Sequence, residues 1–149
     1  MPDSDACWLL VLGSNTAGDE RLRAAVDLLE SLGDAEILGA PLLTQAEPPI
    51  GPPYTNALVL LRSGTGDLSV LKDTLVRIEA AFGRDRGRPD RVELDIDVLG
   101  LAGPAGWRPT VDAVRKNELS KGYVRSLLRN ADINFPDGAE LSNISFPPS

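Results

Sequence analysis

The sequence predicts an α+β fold built from six segments in the order β-α-β-β-α-β. A continuous apolar run at residues 7–13 and strict alternation of apolar and acidic residues over 92–98, within the stretch 92–100, are typical of strands. Residues 19–32 and 68–82 repeat apolar side chains every three or four positions, as amphipathic helices do. This order is that of a ferredoxin-like split βαβ unit, in which a four-stranded antiparallel sheet carries two helices on one face.

The first strand, residues 7–13, is apolar throughout, which indicates burial on both faces and a central place in the sheet beside the fourth strand. The first helix has acids in its first turn, where the helix dipole favours them, and ends at Gly33. The segments that complete the core are a second strand at 35–43, a third at 55–61, and a second helix from the N-cap Asp67 to Gly83.

The pattern is weaker beyond Gly103. Residues 103–106 are predicted as a turn or hairpin tip, residues 111–120 are ambiguous, and residues 122–131 suggest a short third helix. The tail from residue 134 is polar and proline-rich, and we predict a peripheral position for it. By its length, the chain of 149 residues is predicted to form one domain.

Composition excludes several classes of function. The net charge of −7 argues against nonspecific binding of nucleic acid or of anionic membranes. The first residues lack the basic region of a signal peptide, and the single cysteine, Cys7, is more consistent with a small buried apolar residue than with a nucleophile, so we expect a cytoplasmic protein. Histidine is absent, which excludes Ser-His triads and His-ligated zinc. The chemistry must therefore use carboxylates, a metal, or lysine and arginine.

Residues 92–100 read V-E-L-D-I-D-V-L-G, so Glu93, Asp95 and Asp97 are expected on one face of a strand, opposite the apolar residues that face the helices. Acids two positions apart lie only about 7 Å from one another and repel unless a cation neutralises them. A divalent metal with oxygen ligands is one interpretation. A solvated acidic strand face is the other.

The stretch before this strand, residues 84–91, is basic, and we call it the arginine segment. Its four arginines lead directly into the acids. Forked guanidinium donors beside a metal suit the binding of a triphosphate. The alternative is a set of exposed ion pairs, which contribute little stability.

Five motifs, taken in order, resemble those of the hydroxymethyldihydropterin pyrophosphokinases, which transfer pyrophosphate from ATP to a reduced pterin in folate biosynthesis. They are Leu12-Gly13-Ser14-Asn15; Pro48-Pro49-Ile50-Gly51 with Tyr54 and Asn56; Ile78-Glu79 with Gly83-Arg84 and Arg86; Leu94-Asp95-Ile96-Asp97; and Gly122-Tyr123-Val124. The resemblance implies a ferredoxin-like fold, and it implies that Asp95 and Asp97 ligate two magnesium ions bridging the ATP phosphates. It assigns no role to Glu93.

The same resemblance implies further site residues. Those implied to bind the pterin are Pro48, Pro49, Ile50, Tyr54, Asn56 and Tyr123. Those implied to bind ATP are Arg84, Arg86, Arg91, Val98, Arg115 and Lys121. Arg84 and Arg86 are also implied to act in catalysis, together with Asp95 and Asp97.

Three functional hypotheses follow. The first is an active, magnesium- and ATP-dependent pterin pyrophosphokinase that is a monomer or weak homodimer. The second is a non-catalytic or altered-specificity paralogue that binds pterin or nucleotide, because the arginine segment lacks the tryptophan usual in the family. The third is a metal-dependent hydrolase that cleaves ATP without any pterin.

Overall fold

The computed structural model describes residues 6–16, 18–45, 52–83, 87 and 92–135. The strands are β1 (Ala6–Ser14), β2 (Gly33–Thr44), β3 (Tyr54–Ser63), β4 (Asp95–Gly103) and β5 (Gly106–Pro109). The helices are α1 (Gly18–Leu29), α2 (Leu68–Ala81), α3 (Val111–Arg115) and α4 (Gly122–Asn130), with a 3₁₀ turn at Glu118–Ser120.

The strands form one antiparallel sheet in the order β2-β3-β1-β4-β5. The predicted α+β fold with a ferredoxin-like core is thus confirmed, and so is the central place of β1 beside β4. The predicted turn at residues 103–106 is the tip of the β4–β5 hairpin, in which Gly103 pairs with Gly106. The hairpin adds β5 to the edge of the four-stranded core.

One face of the sheet packs against α1 and α2. Alternate residues of β1 point into this core, and Leu94, Ile96 and Val98 lie in it as predicted. The helices contribute Leu22, Ala25 and Leu29 from α1 and Leu71, Leu75 and Ile78 from α2. The N-cap prediction is also confirmed, since the Asp67 carboxylate accepts hydrogen bonds from the amides of Ser69 and Val70.

The opposite face carries a second core beneath α4. Its buried members are Leu9, Val11, Leu58, Leu99, Val124, Leu127 and Leu128. The expectation that the acidic face of β4 is open is therefore wrong for the half of the strand around Leu99. It is covered because the amphipathic α4 needs an apolar partner, and only the end of the face around Asp95 and Asp97 stays half-buried.

The prediction of one strand over residues 92–100 with three acids on its exposed face is wrong at its start. β4 begins at Asp95, and Glu93 lies before it with 7% exposure. The backbone of Val92 cannot extend the sheet ladder because its N–H and C=O groups are hydrogen-bonded to Asn15. Glu93 turns inward to Thr16 and Arg21 instead.

The first residues of the predicted peripheral tail pack against the second core. The Phe135 ring lies over Gly100, where a Cβ atom would approach it to 2.7 Å, and 6.5 Å from the Trp107 ring. Residues 136–149, the rest of that tail, lie outside the described residues. No helix of the described chain has the length and apolarity needed to cross a bilayer.

Candidate functional site

The turn after β1 fixes where the acidic strand begins. The Asn15 side-chain oxygen accepts a hydrogen bond from the Val92 N–H at 2.7 Å, and the Asn15 N–H donates to the Val92 carbonyl at 3.0 Å. The Ser14 hydroxyl donates to the same carbonyl at 3.4 Å. The Gly-Ser-Asn motif therefore holds the residue three positions before Asp95, which gives the motif a structural reason to accompany the acidic strand.

Three strands bring a polar row onto the second face of the sheet. Gly13 of β1 pairs with Asn56 of β3 on one side and with Asp95 of β4 on the other. The next row on this face pairs Val11 with Asp97. Residues paired in register share a face, so the Asn56 amide and the Asp95 carboxylate lie two strand spacings apart, roughly 10 Å.

Gly13 leaves the space between these two polar groups free of a side chain. A Cβ atom at Gly13 would lie 2.9 Å from the Asn56 side-chain oxygen and 3.6 Å from the Tyr54 ring. The Asn56 nitrogen donates to the Thr44 hydroxyl at 2.7 Å, which orients the amide in its buried position. Glycine is required here for close approach.

Asp97 lies in a crowded anionic environment. Burial raises the pKa of Asp97 to about 8, and the negative charges of Asp95 and Glu118 add to this effect. The Lys116 ammonium, 3.5 Å from the Asp97 carboxylate, acts in the opposite direction. One lysine does not compensate for this crowding, so the site favours an additional cation.

Glu118 is a buried acid that the sequence pattern did not single out. It is 3% exposed, and its carboxylate pairs with the Lys121 ammonium at 2.6 Å. Burial lowers the pKa of Lys121, but the hydrogen bond and charge of Glu118, with Asp97 and Asp95, outweigh burial and raise it. The i,i+3 spacing of Glu118 and Lys121 is the sequence signal that could have found this pair. It was missed because the stretch is too short to show helical periodicity.

Tyr54 and Tyr123, the two tyrosines of the site, are close enough for the charge of Tyr54 to affect the pKa of Tyr123. Tyr54 lies two residues before Asn56 and therefore on the same face of β3. Burial raises the pKa of Tyr123, followed by the charges of Glu118, Asp97 and Asp95 and by Tyr54. The structure thus brings Tyr54, Asn56, Asp95, Asp97 and Tyr123 to one end of one sheet face.

A small, partly open cleft lies beside Asp97, between β4, α2 and α3. Its charged lining residues are Lys72, Asp97, Asp112, Lys116 and Glu118, and its apolar ones are Ile96, Val98 and Ala113. Lys72 forms an ion pair with Asp112 within this lining. Val98, predicted to contact ATP, therefore lies at the cleft, whereas Arg115 is exposed at the end of α3 and its role stays a prediction.

Glu79 of α2 binds the backbone of the acidic strand through a hydrogen bond. Among the residues that the structure describes, β1 is the only strand paired with β4 at Ile96, because β5 pairs with residues 100–103. The buried Glu79 carboxylate of α2 accepts the hydrogen bond from the Ile96 N–H at 2.8 Å. The backbone between Asp95 and Asp97 is thus fixed on both sides.

Several predicted site residues cannot be placed. Pro48, Pro49, Ile50, Arg84, Arg86 and Arg91 all lie outside the described residues.

The donor set suits magnesium completed by a ligand rather than a metal held by protein alone. Within the described ranges, no group of three or more Asp, Glu, Cys or His side chains could hold a metal ion. Magnesium commonly binds one or two carboxylates and takes its remaining ligands from substrate phosphates and water. Asp95 and Asp97, two residues apart on one face of β4, meet that requirement.

A comparison with protein-family models matches residues 9–127 to the model described as 7,8-dihydro-6-hydroxymethylpterin-pyrophosphokinase. The match runs from within β1 to within α4 and includes Gly13, Asn56, Asp95, Asp97 and Tyr123. No curated protein sequence matches the chain.

Proposed function

Because this chain belongs to the 7,8-dihydro-6-hydroxymethylpterin-pyrophosphokinase family, we propose that it transfers pyrophosphate from ATP to 6-hydroxymethyl-7,8-dihydropterin. The products are AMP and the pterin pyrophosphate, an intermediate of folate biosynthesis. The observation that carries this proposal is the polar row of Asn56, Gly13 and Asp95 across three strands. It offers an amide for a heterocycle and a carboxylate for a metal on one face.

Asp95 and Asp97 would hold two magnesium ions in this proposal. When bound, the ions neutralise charge on the phosphate oxygens of ATP. The raised pKa of Asp97, which burial causes first and neighbouring acids second, supports a cation here. Lys116 lies close enough to Asp97 to balance part of that charge when no cation is present.

The nucleotide is proposed to bind across the surface around the cleft beside Asp97, next to Val98. The exposed lysines of this surface, Lys72 and Lys116, suit the phosphates. Lys121 stands near the same acids, tied to Glu118, and would present its charge to the phosphates together with Arg115. Arg84, Arg86 and Arg91 of the arginine segment are proposed as further phosphate donors.

The pterin is proposed to lie over Gly13, between Asn56 and the acids. Asn56 carries both a donor and an acceptor, which match the edge of a pterin ring. Tyr54 and Tyr123 would stack on the ring, and the chain at Pro48, Pro49 and Ile50 would contact its edge. The roughly 10 Å between Asn56 and Asp95 leaves room for the ring on one side and the phosphates on the other.

In this arrangement the protein positions two reactants rather than supplying a nucleophile. The pterin hydroxyl attacks the β-phosphorus of ATP, the bond to the α-phosphate oxygen breaks, and AMP leaves. Such a transfer depends mainly on alignment and on neutralising charge. The absence of histidine from the chain is compatible with it.

The decisive experiment measures AMP formed from ATP with and without the hydroxymethyl-dihydropterin, in saturating magnesium. We expect pterin-dependent AMP that is lost by about 1000-fold in Asp95→Asn and in Asp97→Asn, because each loss of charge removes several kcal/mol of transition-state stabilisation. Asp34→Asn, an exposed acid on β2, is the matched control and should keep parental activity.

Each other outcome supports a different function. Binding of pterin and ATP by calorimetry without turnover would indicate a non-catalytic paralogue and contradict the proposal. AMP or ADP released at the same rate without pterin would indicate a hydrolase instead.

A further inference from the structure

Arg21 of α1 contacts one residue on each side of the arginine segment, Phe82 before it and Glu93 after it. Its guanidinium nitrogen Nη2 lies 2.8 Å from the Glu93 carboxylate, which follows the segment. The same guanidinium lies over the Phe82 ring, which precedes the segment, at 5.6 Å from the ring centre. One side chain from a distant helix therefore joins the two points between which the segment runs.

The end at Glu93 is held firmly. Its carboxylate also accepts a hydrogen bond from the Thr16 hydroxyl at 2.8 Å, and the Glu93 side chain is only 9% exposed. The preceding residue, Val92, is bonded to Asn15 through both its N–H and C=O groups. A buried carboxylate in these surroundings requires its cation, since an unpaired buried charge is strongly unfavourable.

The end at Phe82 is equally defined. Phe82 caps α2, and its N–H is bonded to carbonyls of the last helical turn. Gly83 then leaves the helix with φ of +84°, a conformation that favours glycine. A Cβ atom at Gly83 would lie 3.9 Å from the Glu93 side chain, so the two ends stand within a few ångströms of one another.

We propose that Arg21 is a positioning residue for the reaction proposed above. Phe82 lies two residues before Arg84, and Glu93 lies two residues before Asp95. By binding both, Arg21 sets the separation between the start of the arginine segment and the start of the acidic strand. This inference rests on the proposed function, which gives Arg84, Arg86, Asp95 and Asp97 their roles.

The physical reason is that charged groups on a chain segment can be aligned with a substrate only once the segment itself is ordered. In general, fixing the separation of the two ends of a chain segment reduces the number of conformations open to it before any ligand binds. Phosphoryl transfer is sensitive to errors of about 1 Å in the position of charged groups. Arg21 touches neither the cleft residues nor the polar row in its described contacts, so its effect acts through Phe82 and Glu93.

The contacts of Arg21 with Phe82 and Glu93 are called the clamp below. The first experiment tests the clamp without measuring activity. Trypsin cleaves after arginine unless proline follows, so the arginine segment supplies three sites, after Arg84, Arg86 and Arg91, while Arg88 precedes Pro89. We expect cleavage at these sites, followed by mass spectrometry on the full chain, to be about tenfold faster in Arg21→Met and in Glu93→Gln. Arg23→Met, an exposed arginine on the same helix, is the matched control and should cleave like the parent.

The second experiment separates positioning from stability. Well below the unfolding temperature, we expect kcat for pterin-dependent AMP formation to fall about tenfold or more in Arg21→Met, with KM for ATP nearly unchanged. Arg21→Lys keeps the charge and should recover most of the loss. Phe82→Leu and Thr16→Val each remove one contact and should give smaller losses, which keeps the test informative if Arg21→Met folds poorly.

Faster cleavage with parental kcat would overturn the positioning role and leave a purely structural ion pair. Cleavage equal to that of Arg23→Met would overturn the clamp itself. If the parent forms no AMP at all, the proposed function fails, while the cleavage rates still decide whether Arg21 joins the two ends.

Discussion

The ionised form of Asp97 suits a cation site but destabilises the fold, because its carboxylate is largely buried. Its pKa of about 8 lies far above the ordinary 3.8, first because of burial and then because of Asp95 and Glu118. Between these pH values the folded protein holds a proton that the unfolded chain has released. The protonated carboxyl group therefore contributes stability that is fully present below about pH 4 and is lost as the pH rises through 8.

Asp97→Asn should consequently stabilise the metal-free protein at alkaline pH. The variant removes the ionisable group but keeps its shape, so we expect its free energy of unfolding to exceed that of the parent at pH 8.5 by about 2 kcal/mol. The difference should shrink towards pH 5. Urea unfolding in EDTA at the two pH values measures it.

Asp34→Asn controls for the loss of one negative charge from an acidic protein, and its exposed position predicts no comparable gain. An Asp97→Asn variant less stable than the parent at pH 8.5 would mean that Lys116 more than compensates for burial. That result would remove the electrostatic support for a cation site.

The residues also show what local pattern can predict. Alternation along residues 92–100 correctly predicted that Leu94, Ile96 and Val98 face the helices, because a strand's two faces are a local property. It failed for Glu93, whose partner Thr16 lies 77 positions away. Glu118 was missed for the same reason, since its burial arises from the packing of a short turn onto the acidic strand.

At the scale of elements, the polar row depends on the match between three strands. β1 pairs with β3 and β4 in registers that bring Asn56 and Asp95 to either side of Gly13. α2 could be predicted because its apolar stripe repeats several times, and β1 could be predicted because its apolar run is unbroken over residues 7–13. The start of β4 could not, since tertiary hydrogen bonds from Asn15 override the strand pattern at Val92.

Gly13→Ala tests the row directly. The added Cβ atom would stand 2.9 Å from the Asn56 oxygen, so the amide must shift, and we expect a loss of about 1–3 kcal/mol in stability. We also expect weaker pterin binding with ATP binding much less affected, as measured by calorimetry. Gly64→Ala, where a Cβ atom meets nothing within 4 Å, is the control. Equal weakening of both ligands would contradict a specific role for this row.

At the scale of the whole molecule, the part of the chain that the structure describes is a sheet between two unequal cores. The core under α1 and α2 was predictable from two amphipathic stripes and the β-α-β-β-α-β order. The core under α4 was not, because the apolar stripe of this nine-residue helix does not show which face of the sheet it covers, and that is decided only in three dimensions. The candidate site borders this second core, where α4 brings Tyr123 beside the acidic strand.

A pair of leucine substitutions tests whether the core under α4 affects the candidate site more than the core under α1 and α2 does. Leu75 of α2 and Leu127 of α4 are both buried, at 3% and 1% exposure, so Leu→Ala at either should cost about 2–5 kcal/mol of stability. Only Leu127→Ala loosens the helix that carries Tyr123, and we expect it alone to raise KM for the pterin when assayed well below its unfolding temperature. Urea unfolding and steady-state kinetics on both variants measure the two effects. Equal KM values in the two variants would show that the packing of α4 does not govern the site. A rise in KM confined to Leu75→Ala would show that pterin binding depends on α2 instead, through the hydrogen bond between Glu79 and the Ile96 amide.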